Sequence, residues 1–230
     1  MKAHGHAVSG TAAYLAATRI LPGLPDDPAV VLAGVLVTSG AALLPDLDHP
    51  SSTLSRSAGL ASQTVSAAVS TVAGGHRQLT HSLVVVPLVW LAATWAAGIP
   101  AVAAWIGGLL VAVAVPLLAR SLPVRLAHAV VVGVAPAVWI GTQIQTGALA
   151  APAWLSEAIT IGVLAHLAGD LLTVGGIPLL APLVADRVSL CLFRTGGIVE
   201  PVVTAGLAAV AVWLAVPYLE PLGRVVGEWA

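Results

Sequence analysis

Charged residues are scarce in this chain. Only 8% of its 230 residues are Asp, Glu, Lys or Arg, whereas 58% are hydrophobic. A soluble globular domain has about a quarter charged residues and about half apolar ones. The composition therefore excludes an ordinary soluble domain and is typical of a protein embedded in a lipid bilayer.

The chain also lacks an excess of positive or negative charge, and it has almost no cysteine. Nine basic and ten acidic residues leave a net charge of −1, so there is neither a basic field for nucleic acid nor an acidic tail, and we expect no direct nucleic-acid partner. Cys191 is the only cysteine, which excludes an intrachain disulfide and leaves the redox compartment open.

Long apolar runs are what the chain does have. A spanning helix needs roughly 20 mainly apolar residues, and seven segments approach that length. Helices and closed barrels are the backbones that satisfy their own hydrogen bonds in lipid. The sequence therefore predicts an all-α, polytopic transmembrane helical bundle of about six to seven spans, forming one integral membrane domain over residues 1–230. The predicted segments are 6–21, 29–44, 80–97, 101–119, 126–145, 155–174 and 199–218.

The first segment is short and rich in alanine, so it either spans the bilayer or lies in its interface. Two polar connections interrupt the apolar segments. In the polar loop 46–78, Val65, Val69 and Val72 recur at helical spacing, which predicts a short amphipathic helix at the membrane surface. The second connection, residues 175–198, contains a mixed stretch, Asp186 to Gly197, that is too polar to span.

The basic residues predict the orientation of the bundle. Counting through seven spans puts seven Lys and Arg residues on the side of Lys2 and two on the other side. The positive-inside rule then places the N-terminus and both polar loops in the cytoplasm. The residues on the side of Lys2 are Lys2, Arg56, Arg77, Arg120, Arg125, Arg187 and Arg194, and those opposite are Arg19 and Arg224.

Ionisable residues gather on this same side. Two motifs, Pro-Asp-Leu-Asp-His-Pro over residues 45–50 and Gly-His-Arg-Gln-Leu-Thr-His-Ser over residues 75–82, lie next to apolar segments, where charged groups are costly and usually functional. His166 and Asp170 are four residues apart, so they share one face of a predicted helix. We predict a metal site whose number of ions is open, with the ligands His6, Asp46, Asp48, His49, His76, His81, His166 and Asp170.

The residue types indicate the chemistry of this site. Carboxylates and imidazoles without thiolates suit zinc first, with manganese or iron as alternatives, better than a structural cysteine site. A catalytic metal keeps a coordination position open and activates water. Arg77 is a natural clamp for a phosphoryl oxygen, and Thr80 can hydrogen-bond to a ligand. The catalytic candidates are Arg77, Asp48 and Thr80.

The same residues also allow purely structural interpretations. His166 alone can be a hydrogen-bonding partner between helices, His6 can belong to a disordered terminus, and Asp46 and Asp48 can be solvated loop charges. Glu200 is either a helix N-terminal acid or a site residue. The alternative function is a non-catalytic metal-binding scaffold or a transporter, because ionisable groups in membranes also mark ion pathways. The apolar outer halves of the segments favour a one-sided site.

Several motifs occur in a characteristic order. They are Leu-Leu-Pro-Asp-Leu-Asp-His-Pro over 43–50, Gly-His-Arg over 75–77, Thr-His-Ser over 80–82, His166 with Asp170, and Gly-Ile-Pro-Leu-Leu-Ala-Pro over 176–182. This ordered set resembles the YdjM-type family of bacterial inner-membrane, metal-dependent hydrolases, and His6 resembles the N-terminal histidine of that family. Gln78 and Val174 depart from the usual glycine and proline, and neither is a candidate ligand.

The resemblance implies a membrane-embedded, metal-dependent hydrolase in the bacterial inner membrane. The order of the ligands also bears a distant likeness to zinc-dependent phospholipase C, which motivates a phosphoester or lipid-linked substrate at the cytoplasmic face. The expected partners are therefore the lipid bilayer and such a substrate. The oligomeric state is left open.

Overall fold

The computed structural model describes residues 1–119, 126–149 and 152–227, so Arg120 and Arg125 lie outside the described residues. Among the described residues the protein is all-helical, which confirms the predicted fold class. Two isolated bridges, Thr173–Phe193 and Ile177–Val188, are the only β-type pairs there. The helices are α1 (Ala3–Ile20), α2 (Pro28–Ala41), α3 (Leu60–Val72), α4 (Val85–Ala97), α5 (Pro100–Leu118), α6 (Leu126–Gln145), α7 (Pro152–Leu172) and α8 (Val199–Gly227).

Within the described ranges, four helical stretches are long and apolar enough to cross a bilayer. They are Pro28–Asp48, Pro100–Leu118, Trp154–Leu172 and Val199–Glu220, and Val85–Ala97 is a shorter apolar helix. The count of six to seven spans stays a prediction.

The third predicted segment begins later than its apolar sequence suggests. Residues Leu79–His81 form a 3₁₀ turn, and the backbone N–H of Leu83 donates to the carbonyl of Leu179 at 3.0 Å. These contacts hold the chain outside a regular helix until Val85. The last helix extends beyond the predicted end at residue 218 and reaches Gly227.

Helix α2 lies at the centre of the bundle and contacts α1, α5 and α7. Glycines allow these close approaches, as is common for helices in membranes. A Cβ atom at Gly34 would lie 2.2 Å from the Tyr14 ring, and one at Gly162 would lie 2.6 Å from the carbonyl oxygen of Thr38. This packing fixes the C-terminal end of α2, from which the first polar motif continues.

Helix α3 occupies the part of the polar loop where the valine spacing predicts a helix. Leu60, Val65 and Val72 are exposed on it, whereas Ser66 is fully buried and accepts a hydrogen bond from the Ser55 hydroxyl at 2.9 Å. The helix therefore docks by its polar side and leaves apolar side chains outward. Its position at the membrane surface stays a prediction.

The close approach of α2 to α5 predicts a strong response to one methyl group. A Cβ atom at Gly40 would lie 2.2 Å from the backbone oxygen of Leu110, so Gly40→Ala should destabilise the protein by about 1–3 kcal/mol through overpacking. Gly206→Ala is the matched control, because its Cβ atom would meet nothing within 4 Å. Thermal unfolding in detergent should show a lower midpoint for Gly40→Ala alone; equal midpoints would contradict this packing.

Candidate metal centre

Five predicted ligands converge at one point although they come from four parts of the chain. Helix α1 provides His6, and helix α7 provides His166 and Asp170. The 3₁₀ turns Pro45–Asp48 and Leu79–His81 provide Asp46 and His81. Four of these side chains are fully buried, and Asp46 is 22% exposed.

Four of their donor atoms lie at the separations of a coordination shell. His81 Nε2 and His166 Nε2 are 3.2 Å apart. Asp46 Oδ1 lies 3.6 Å from His81 Nε2 and 3.9 Å from His166 Nε2, and Asp170 Oδ2 lies 3.8 Å from both. A tetrahedral ion with bonds of about 2.0–2.2 Å separates its ligand atoms by roughly 3.3–3.6 Å. The atoms are therefore at, or a little beyond, the spacing that one ion requires.

The protonation of His166 follows from its backbone partner. His166 Nδ1 lies 2.7 Å from the carbonyl oxygen of Ala42, which can only accept a hydrogen bond. Nδ1 therefore carries the proton, and in the neutral ring Nε2 has a free lone pair. That lone pair faces the point where the donor atoms converge.

The same reasoning applies to His81 through Thr80. The Thr80 hydroxyl donates a hydrogen bond to Asp48 Oδ2, so its oxygen accepts the hydrogen of His81 Nδ1, 3.0 Å away. In the neutral ring this leaves His81 Nε2 as an acceptor. Two lone-pair nitrogens and two carboxylate oxygens thus face one another, an arrangement that a cation stabilises.

His6 completes the cluster from the other side of His166. Their rings stack with centroids 3.7 Å apart, and His6 Nε2 lies 3.2 Å from Asp170 Oδ1. The contact with Asp170 lacks the angles of a hydrogen bond, and both buried ring nitrogens of His6 are without a hydrogen-bond partner, which is costly for a polar group unless it binds something. Two groups, His6–His166–Asp170 and Asp46–His81–His166, could each hold a metal ion, since their ligand atoms lie within 4.8 Å of one another.

The local potential at the cluster also favours a cation. Burial lowers the pKa of His81, but the neighbouring carboxylates of Asp46 and Asp48 outweigh burial and raise this pKa above its usual value. The α-amino group of Met1 also contacts Asp170 Oδ1. A mixed set of oxygen and nitrogen donors suits zinc, manganese or iron.

Three other predicted ligands lie outside this cluster. Asp48 is fully buried and accepts hydrogen bonds from Thr80 and from the backbone N–H of Arg77, the latter at 3.0 Å. His76 Nδ1 lies 2.8 Å from Asp48 Oδ1, with its side chain 36% exposed. His49 Nδ1 accepts the backbone N–H of Ser51 at 3.1 Å. Asp48 thus supports the loop that carries His81, while the two histidines line the outer edge.

Arg77 connects the outer loop to the cluster. Its Nη2 lies 2.7 Å from Asp170 Oδ2, and its backbone adopts φ of +58°, which is uncommon for a residue with a side chain. Such conformations concentrate at functional sites. A Cβ atom at Gly175 would lie 2.5 Å from Arg77 Nη1, so this glycine provides the space for the guanidinium group.

Some residues that shape the metal cluster were not identified from the sequence. The Ala42 carbonyl leaves no side-chain signal in the sequence. For Gly175 and Gly169, the absence of a side chain is itself the sequence signal of a close contact; a Cβ atom at Gly169 would lie 3.3 Å from His6 Nδ1. Glu200 accepts hydrogen bonds from the backbone N–H groups of Lys2 and Gly196, so it anchors the start of α1 and lies outside the cluster.

Histidines inside the cluster and histidines at its outer edge should differ in their effect on metal binding. We expect His166→Ala to lose bound transition metal, because it removes a buried donor atom at the centre. His49→Ala should keep the metal content of the wild type, since His49 is bound to Ser51 at the edge. Elemental mass spectrometry of the detergent-purified proteins measures both; equal loss, or no loss in either variant, would contradict this assignment.

Comparison with known proteins identifies the family of this chain. The model of the YdjM inner membrane protein family matches residues 1–220, nearly the whole chain, which confirms the resemblance drawn from the motifs. No curated protein and no solved structure shows a significant match. The apolar helices are those of a multi-pass inner-membrane protein, and the chain belongs to the YdjM inner membrane protein family.

Proposed function

We propose that this protein is a membrane-embedded, metal-dependent hydrolase that acts at the cytoplasmic face on a phosphoester or lipid-linked substrate. One observation carries the proposal: His81 Nε2, His166 Nε2 and oxygens of Asp46 and Asp170 converge within 3.2–3.9 Å, and the hydrogen bonds of both imidazoles leave lone pairs directed inward. Arg77 pairs with Asp170, but a purely structural network would also pair the inward lone pairs of both neutral imidazoles with donors.

The inner residues would hold the metal, with zinc as our first choice. A divalent ion bound there supplies Lewis-acid chemistry, polarising a phosphoryl or carbonyl oxygen and activating water for attack. Ala42 and Thr80 keep the two imidazoles in the tautomer that can bind it, as hydrogen-bond partners of histidine ligands commonly do. Asp46 is the partly exposed member of the five, so we infer that water enters on its side.

Arg77 is the residue that we expect to bind the reacting group. Its guanidinium group already lies 2.7 Å from Asp170 Oδ2, and its side chain is 18% exposed. A planar cation at the edge of a metal centre can bind a phosphoryl oxygen and stabilise negative charge that develops there. Asp48 and Thr80 act indirectly in this proposal, by positioning His81 and the backbone of Arg77.

The cytoplasmic placement of the site rests on the excess of Lys and Arg in the loops on its side. The alternative is a metal-binding scaffold or a transporter. A transport path would continue polar groups through the bundle beyond His166. The buried core of α2 and α7 there is instead mostly apolar, with Val37, Leu155 and Ile159 less than 5% exposed, and its buried polar side chains, Thr38, Ser39 and Ser156, are uncharged hydroxyls. This core favours a one-sided site.

An assay of phosphoester hydrolysis distinguishes the proposed hydrolase from a non-catalytic scaffold. Zinc-loaded protein in detergent should hydrolyse p-nitrophenyl phosphate or bis-p-nitrophenyl phosphate, and a chelator should abolish the reaction. Arg77→Lys should lower kcat about tenfold or more with metal content unchanged, because the bidentate guanidinium contact is lost.

Arg56→Lys is the control, since Arg56 is exposed on the neighbouring loop. A metal-loaded wild type that hydrolyses neither phosphoester would count against the phosphoester class. Equal kcat in the wild type and Arg77→Lys would contradict the role of Arg77.

A further inference from the structure

A cavity of about 530 Å³ lies between α1 and α8, outside the metal cluster. Val8 lines it from α1, and Ala205, Ala208 and Val212 line it from α8. Its volume falls within the range of roughly 300–1,000 Å³ that is usual for small-molecule sites. We call this cavity the α1–α8 groove.

The groove is amphipathic along its length. Lys2 and His4 line one end, whereas small apolar side chains line most of the rest. The carboxylate of Glu200 lies at the polar end, but both of its oxygens already accept backbone N–H groups. Lys2 is exposed, and its ammonium group has no ion-pair partner among the residues described. The polar end therefore offers a cation to a ligand.

The depth of the groove matches one leaflet of a bilayer. Its α8 wall runs from Pro201 to Val212, eleven residue steps, which is about 16 Å at the rise of an α-helix. The hydrocarbon core of a bilayer is about 30 Å thick, so the length of this wall equals about half of it. Helix α8 contains a candidate membrane span, Val199–Glu220, so this wall lies at the depth of acyl chains.

The polar end also adjoins the metal cluster. Gly5 lines the groove and precedes His6 in α1. A Cβ atom at Gly5 would lie 2.8 Å from Met1 Cε, and one at Gly169 would lie 2.9 Å from Met1 Sδ and 3.3 Å from His6 Nδ1. The Met1 side chain thus stands between the groove and the cluster, and a head group at Lys2 would lie beside the cluster.

We propose that the α1–α8 groove binds the acyl chain of a single-chain membrane lipid whose phosphate-bearing head group pairs with Lys2. This lipid is the substrate class of the neighbouring centre, a part of the proposal that rests on the proposed function. The chain occupies the stripe from Ala205 to Val212, and the head group lies at the Lys2 end, with the Met1 side chain between it and His6. Binding in the groove itself requires no hydrolysis.

The test measures binding of hexadecylphosphonate, whose carbon–phosphorus bond resists hydrolysis, by native mass spectrometry of the full-length protein in a non-ionic detergent. Ala208→Trp fills the groove and should lower occupancy about tenfold. Ala209→Trp places the same bulk on the next residue, which is exposed and lines no part of the groove, and should bind as the wild type does. Ala205→Val is a smaller obstruction that serves if Ala208→Trp does not fold.

Lys2→Ala should weaken hexadecylphosphonate severalfold and leave hexadecanol unaffected, because the alcohol has no charge for the ammonium group to attract. Equal occupancy in the wild type and the two groove variants would overturn the proposal, as would equal loss in Ala209→Trp. Metal content measured on the same samples separates the two claims. Groove-dependent binding by a protein that takes up no metal would refute the substrate assignment but keep the lipid site.

Discussion

The approach of His81 Nε2 to His166 Nε2, 3.2 Å apart and beside two carboxylates, is the interaction on which the rest of the structure depends. When both imidazoles are neutral these acceptors repel one another, so the site calls for a proton or a metal ion between them. The fold holds them together with backbone geometry: the close contacts of α2 with α1 and α7 place the Ala42 carbonyl behind His166. A bound cation would turn this arrangement into a stable one.

The sequence predicted much of this site because helical spacing and motif order are local properties. The four-residue interval puts His166 and Asp170 on one face, and residue types alone indicate a site of oxygen and nitrogen donors. The family resemblance, now confirmed, placed His6 with the loop motifs. The membrane composition fixed the helical class, because lipid leaves few other backbones.

The division into inner and outer residues could not be predicted. His76 and His81 belong to one motif, yet only His81 lies in the cluster, because Arg77 adopts a positive φ and the chain then forms a 3₁₀ turn. The amino-acid sequence of the motif does not predict the positive φ of Arg77. The role of Asp48 depends likewise on which hydroxyl donates to which oxygen. For the same reason the start of α4 was placed too early, since apolarity continues through the turn.

An inward-facing set of acceptors lies beside the α1–α8 groove, at one end of a bundle whose buried centre is mostly apolar. X-ray absorption spectroscopy at the edge of the metal that copurifies with the protein tests the central claim most directly. The account predicts a shell of nitrogen and oxygen at about 2.0–2.2 Å, with the outer scattering of at least two imidazoles. A sulfur shell at about 2.3 Å, or a shell without imidazole scattering, would contradict it.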